Sequence, residues 1–178
     1  MELLKGRPES EKGRLEKEIR VYDLLDELGI PFMRVDHSPL ETMEDCIEVD
    51  KILDAHVCKN LFLVNSNQSQ YYLLMVTGDK KLETKKISKQ IGSSRLSFGK
   101  AKNMEEFLDI SPGAVSVMGL MNDKDLKVQL LIDEDIIHHE YLGCHPCVNT
   151  SSIKLKTSDV LDIFLKKVDH EPVMVQID

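Results

Sequence analysis

The apolar positions of this chain follow two rhythms, one of helices and one of strands. Between Ser10 and Leu28, the residues Leu15, Ile19, Tyr22 and Leu25 recur near one helical face. Ser10 stands where a cap would open that helix and Gly29 where a C-terminal cap is expected, so a helix is predicted over about 10–29. Pro31 blocks continuation, and Phe32-Met-Arg-Val-Asp36 predicts a short strand. Thr42-Met-Glu-Asp45 opens a second helix running to about Asp54, with Asp45 where a capping box has Glu or Gln. Asn60–Val64 and Tyr71–Val76 are near-continuous apolar runs joined by the polar segment 65–70. They predict a hairpin of strands buried on both faces. Leu82–Ile91, Met104–Leu108 and Ser158–Lys167 predict helices. Val115–Met118, Val128–Asp133, Ile153–Leu155 and Val173–Ile177 predict strands, and His138-His139 falls at a strand start. A hairpin and irregular interleaving, without repeated βα units, imply an α+β fold with a mixed sheet.

Composition sharpens this picture in a few places. The 178 residues, 42% of them hydrophobic, suit one domain over 1–178 with a real core, and aromatics are few. No Pro/Gly/Ser-rich linker or fixed-period repeat divides the chain. No stretch has the roughly 18–20 apolar residues a membrane span needs, and the start carries no apolar leader. A cytoplasmic location follows as the expectation, with Cys46, Cys58, Cys144 and Cys147 as reduced thiols. The net charge of −8 speaks against indiscriminate nucleic-acid binding. Yet from Asp79 to Lys102 eight bases face two acids, among them Lys80, Lys81, Lys85, Lys86 and Lys89. Such a window suits an RNA end held in one orientation, and a solvated helix flank gives the same pattern.

Four segments could carry chemistry. Cys58-Lys59-Asn60 lies at the mouth of a buried strand, where an ammonium could enter a cleft and polarise a carbonyl, or simply close the strand. In Ser111–Leu120, Gly113 and Gly119 bracket small residues that could let backbone approach a ligand, or serve a loop and edge strand. Gly143-Cys-His-Pro-Cys-Val-Asn-Thr150 is the densest reactive cluster. The residues after Cys147 make a poor helix for a redox pair, no second ligand pair completes a zinc site, and a neutral His145 can supply a hydrogen bond at a cleft. His37 and Thr42 flank the stiff turn at Pro39 and could line a cleft or bond to backbone.

In this order, the segments Leu28–Phe32, His37-Ser-Pro39 with Thr42, Lys59–Leu63, Leu96-Ser-Phe98, Pro112–Ser116, Gly119–Asp123 and His145–Thr150 resemble one family. It is the stand-alone prolyl-tRNA editing-domain branch (PrdX or ProXp-ala) of the YbaK-like aminoacyl-tRNA deacylases. The resemblance covers about Tyr22 to Ile177. It implies a largely antiparallel central sheet wrapped by helices, and hydrolysis of Ala-tRNA(Pro) by water without metal or cofactor. The partner implied is the aminoacylated 3′ end of tRNA(Pro), with transient contact to prolyl-tRNA synthetase, and neither membrane nor DNA. A synthetase pocket cannot exclude alanine by size, since a methylene supplies only about 1–3 kcal/mol, so a second sieve too narrow for proline is needed. On this resemblance Lys59 and His145 are the catalytic residues. His37, Thr42, Asn60, Gly113, Ala114, Val115, Ser116, Val117, Met118 and Asn149 contact the substrate. Val117 departs from the family's Pro four residues after Gly113, which puts the accepted amino acid in question. Two rival readings stand beside this one: a tRNA-end-binding regulator on the same fold, and a thiol or zinc protein built on Cys144 and Cys147.

Overall fold

The computed structural model describes residues 1–178, apart from the side chain of Met43. Its strands are β1 (Leu4–Lys5), β2 (Met33–Asp36), β3 (His56–Val64), β4 (Tyr71–Thr77), β5 (Ser97–Phe98), β6 (Val128–Asp133), β7 (Tyr141–Cys144), β8 (Ser151–Lys156) and β9 (Val173–Val175). They form one sheet in the order β1-β2-β8-β7-β3-β4-β6-β9, with β5 pairing β3. The pairs β3–β7, β4–β6 and β6–β9 are parallel and the others antiparallel, so the sheet is mixed and mostly antiparallel. Helices α1 (Glu16–Glu27), α2 (Met43–Leu53), α3 (Thr84–Gln90) and α4 (Ala101–Leu108) surround it. A last helical run, Thr157–Asp159 and Leu165–Lys167, carries a π turn over Val160–Phe164 between them.

The apolar runs are continuous because both faces of the central strands are covered. On β4, Leu73 and Met75 enter one core cluster, while Tyr72, Leu74 and Val76 enter another. On β6, Val128, Leu130 and Ile132 face the first cluster and Leu131 the second. A third, smaller cluster of Val35, Val49 and Leu53 seats α2 on β2. That helix starts as its sequence predicts. Thr42 accepts a hydrogen bond from the Asp45 amide at 3.1 Å, and the Asp45 carboxylate accepts one from the Thr42 amide at 3.0 Å.

Three expectations are corrected. The first helix begins at Glu16, not Ser10, and Leu15 at its cap position supplies no side-chain bond. The segment before it is instead tied to the helix by Arg7, which donates to Asp23 at 2.9 Å and Asp26 at 3.1 Å. Val115–Met118 is not a strand. Ser116 accepts a hydrogen bond from the Met118 amide at 3.1 Å, and that cap starts a 3-10 turn over Val117–Asn122. His138 closes another 3-10 turn, Glu134–His138, and the next strand begins only at Tyr141.

The end of β2 is fixed by charge. Arg14 donates to both Asp36 carboxylate oxygens, at 3.1 and 2.7 Å, and Arg34 Nε donates to one at 3.0 Å. Burial alone would raise the Asp36 carboxyl, but the bonds from the two arginines hold it at about 2. A carboxylate depressed in the fold stabilises it fully above its unfolded value of 3.8, and that contribution disappears as pH falls through about 2. Asp36→Asn is therefore expected to melt below wild type at neutral pH. The gap should narrow steadily as thermal unfolding is followed from about pH 4 towards pH 2.

Candidate active site

Two strands that lie far apart in sequence meet at the centre of the sheet. β3 and β7 pair in parallel through His56↔Leu142 and Val57↔Gly143, and beyond those pairs they part. Gly143 permits the approach, because a Cβ on it would lie 2.7 Å from Val57 Cγ2. Past the joint, β3 carries Cys58-Lys59-Asn60 and the β7–β8 loop carries His145 to Thr150. Lys59 and His145 each stand two residues past that joint, on the sides of their strands that Val57 and Gly143 face by alternation, with no contact between them among the described residues.

Lys59 is exposed and lines a cavity of about 920 Å³. One wall is α2, through Cys46, Ile47 and Asp50. The floor is Val57, Cys58 and Thr77, and the far side is Lys80, Asp135, His138 and His139. The Lys59 ammonium donates to the Lys80 carbonyl at 3.5 Å and makes no ion pair among the described residues. The His56 and His139 rings lie 3.7 Å apart between centroids. Burial, then the neighbouring His56, holds His139 below its ordinary value. The volume is that of a pocket for a whole small ligand, not of a slot for one methyl group. The narrow sieve anticipated from amino-acid discrimination is therefore not set by the size of this cavity.

A second group gathers around the start of β8. His37 Nδ1 lies 2.8 Å from the Ser38 carbonyl, which can only accept, so Nδ1 carries the proton. The Ser152 hydroxyl, 2.9 Å from His37 Nε2, then donates to it. His145 Nδ1 donates to the Ser151 carbonyl at 2.9 Å, which leaves its Nε2 as a lone-pair acceptor. Burial holds His145 below 6.5, opposed by that backbone bond and reinforced by His37, so the ring is neutral near pH 7. The two rings stand 6.2 Å apart, edge to face. Asn149 Oδ1 accepts from the Leu40 amide at 3.4 Å, and its Nδ2 lies 3.5 Å from where a Cβ on Gly113 would be. Gly113, at φ +92°, adopts a backbone conformation that suits glycine.

His37, His145, Asn149 and Gly113 are thus brought together, while Lys59 faces the cavity next door, whose walls include none of the four. Thr42 spends its hydroxyl on the α2 cap. Asn60 donates to the Cys58 carbonyl at 3.1 Å, and its buried Oδ1 has no partner. Beyond the glycine, Val115 is half-buried, Ala114 is buried, and Ser116, Val117 and Met118 are all 0% exposed. They back the site as core. Val117 follows the Ser116 cap, a position where the family's Pro would forfeit no hydrogen bond.

The basic face is only partly free. Lys80 bridges Asp133 at 2.9 Å and Asp135 at 2.6 Å, and Lys86 bridges Asp178 at 2.9 Å and Glu83 at 3.0 Å. Lys81, Lys85 and Lys89 are exposed without ion pairs among the described residues. Cys58, Cys144 and Cys147 are buried free thiols. Burial, then nearby Asp133, pushes Cys58 up to about 12. Burial, then Asp109, raises Cys147 to about 12, and burial drives Cys144 up as well. A thiolate nucleophile is disfavoured there. Asp50, His56 and Asp135 went unmarked in the sequence, and His139 was marked only at a strand start, because ordinary spacings do not reveal that the four line one cavity.

The aminoacyl-tRNA editing domain profile matches residues 37–163, from the first site histidine to the last helical run. The chain belongs to the aminoacyl-tRNA editing-domain family, and it is a hydrolase of the deacylase class. Among its relatives is the prolyl-tRNA editing protein ProX of Acetoanaerobium sticklandii, 31% identical over 76% of this chain and 83% of that one. The prolyl-tRNA synthetase associated domain-containing protein 1 of Mus musculus is 30% identical over 86% and 92%. A crystal structure provisionally described as a trans-editing enzyme for prolyl tRNA synthetase superposes with a TM-score of 0.68. It shares 14% identity, over 92% of this chain and 98% of that one, and so has the same fold.

The joint between β3 and β7 yields a test. Gly143→Ala should cost about 1–3 kcal/mol of stability, the range for overpacking. Denaturant unfolding measures the loss. Deacylation by the folded variant should fall as well, because the added methyl pushes Lys59's strand from the His145 loop.

Proposed function

We propose that this chain hydrolyses the ester of mischarged tRNA(Pro), with Ala-tRNA(Pro) as its first substrate, acting in trans after the tRNA has left its synthetase. The observation that carries this reading is the unpaired ammonium of Lys59 at a nucleotide-sized cavity in an editing-domain chain. The names of its relatives support tRNA(Pro) as the carrier. Lys59 points its charge at the carbonyl oxygen, where negative charge builds as water attacks. The neutral His145 offers Nε2 to the attacking water or to a ribose hydroxyl of the terminal adenosine, holding it in line. The tetrahedral intermediate collapses by breaking the ester C–O bond, and the departing ribose oxygen takes up a proton. Free amino acid and uncharged tRNA result.

On this reading the substrate spans the seam, with its ester at Lys59 and its amino-acid side chain directed towards Gly113 and Asn149, His37 and the Thr42 cap on the opposite side and the buried Ala114–Met118 segment behind. Asn60, through its unpartnered Oδ1, is a candidate acceptor for substrate. Lys81, Lys85 and Lys89 supply a phosphate-facing edge, to which Lys80 and Lys86 add less because each is already paired. Transient docking to prolyl-tRNA synthetase in the cytoplasm fits this role.

A second reading, a deacylase for another small amino acid, is favoured by the roomy cavity and by Val117 in place of Pro. A deacylation panel on tRNA(Pro) charged with alanine, serine, cysteine or proline separates the two. Alanine is expected to be released fastest, with prolyl-tRNA spared by about tenfold or more, the scale of a hydrophobic size difference. Faster release of serine or cysteine would establish the second reading. Tight tRNA binding without release of any amino acid would leave a binding protein on an editing fold.

A further inference from the structure

The wall that α2 turns to the cavity contains a carboxylate with no partner. Cys46 and Asp50 lie one turn apart on the same helix face, with Ile47 beside them, while Val49 and Leu53 turn to the core cluster at β2. Three carboxylates line the cavity: Asp50, Asp79 and Asp135. Asp135 is spoken for by Lys80 at 2.6 Å. Asp79 stands exposed in the β4–α3 turn, where its own backbone amide favours the charged form. Asp50 is half-buried and has neither hydrogen bond nor ion pair among the described residues. Burial pushes its carboxyl up, with nearby His56 opposing. Holding a carboxylate partly out of water without a partner costs stability, which is compensated only when a cation arrives.

The cations divide in the same way. Lys80 is neutralised by Asp133 and Asp135, whereas Lys59 touches only a carbonyl oxygen. The cavity therefore offers one unpaired ammonium, Lys59, and one carboxylate that is half-buried without a partner, Asp50; Asp79, which also makes no ion pair among the described residues, stands exposed to water. An aminoacyl ester is the complementary molecule. Its α-ammonium is positive, and its carbonyl oxygen, one carbon further on, becomes negative as the ester is attacked.

We propose that Asp50 receives the α-ammonium group of the aminoacyl ester while Lys59 serves its carbonyl oxygen, so that the enzyme selects esters with a free, charged α-amine. This inference rests on the deacylase reading above. It concerns which chemical group on the substrate is recognised, and adds a specificity residue on a helix that carries none of the catalytic candidates.

The test compares alanyl-tRNA with lactyl-tRNA, made from it by nitrous-acid deamination, which replaces the ammonium with a neutral hydroxyl of similar size. The quantity read is the ratio of kcat/KM for the two esters, which does not depend on how much variant protein is folded. Asp50→Asn should lower kcat/KM for the alanyl ester by roughly 10- to 100-fold, the scale of a lost charge-assisted hydrogen bond. It should leave the lactyl ester almost unchanged, so the ratio collapses. Thermal melting of Asp50→Asn should be unchanged or higher, because an unpaired carboxylate has been removed. An unaltered ratio, with wild type active on alanyl-tRNA, would overturn the role of Asp50 and leave the deacylase reading intact. A wild type that hydrolyses neither ester would overturn both.

Discussion

Everything in the site depends on two residue pairs, His56↔Leu142 and Val57↔Gly143, which join the β1-β2-β8-β7 half of the sheet to the half built on the β3–β4 hairpin. The hairpin half is anchored by seven β3–β4 pairs and by cores on both faces. The other half carries the β7–β8 loop with His145 and Asn149, and the β2 end with His37. A parallel pair this short holds because Gly143 lets Val57 approach and because Cys58 and Cys144 are buried just beyond it. Lys59 and His145 emerge where that pair ends. The catalytic candidates are thus presented by a seam, a place where the backbone must diverge and where a cavity can open without breaking a continuous ladder.

Charge is organised around the same seam. The arginine pair on Asp36 secures β2, and Lys80 binds the buried Asp133 at the far end of β6. The Lys80 backbone carbonyl, held by that ion pair, is the acceptor for Lys59. A lysine that the sequence offers as part of an RNA-facing stripe thereby becomes a support for the candidate catalytic lysine. Burial keeps His145 neutral against the pull of its Ser151 carbonyl acceptor, and in the neighbouring cavity Lys59 is the unpaired positive charge.

Local patterns in the sequence were enough to recover what local physics decides. The two-faced burial of β3 and β4 is written in their continuous apolar runs, and the Thr42–Asp45 cap works with Asp where Glu is usual. The family motifs likewise marked His37, Lys59, Gly113 and His145 as candidates, of which the fold gathers His37, Gly113 and His145 and sets Lys59 in a separate cavity. What stayed hidden was decided by partners far along the chain. Lys80 meets Asp133 across 53 residues, and Arg7 replaces a helix cap by reaching Asp23 and Asp26. Val115–Met118 has strand-like residues, yet the Ser116 hydroxyl turns it into a 3-10 segment packed in the core. Asp50 is one acid among several on a polar helix, and only the fold reveals that it alone on its wall lacks a partner.

The claim at the centre is that the ammonium of Lys59 stabilises charge on the ester as it is cleaved. Single-turnover deacylation of purified Ala-tRNA(Pro), with wild type and Lys59→Ala at saturating enzyme, isolates that step from binding. Because Lys59 is exposed, the variant keeps its fold. Its cleavage rate should fall by about 100- to 1,000-fold, as for the loss of one oxyanion donor, with tRNA affinity changed far less. A variant that cleaves at the wild-type rate would contradict the account.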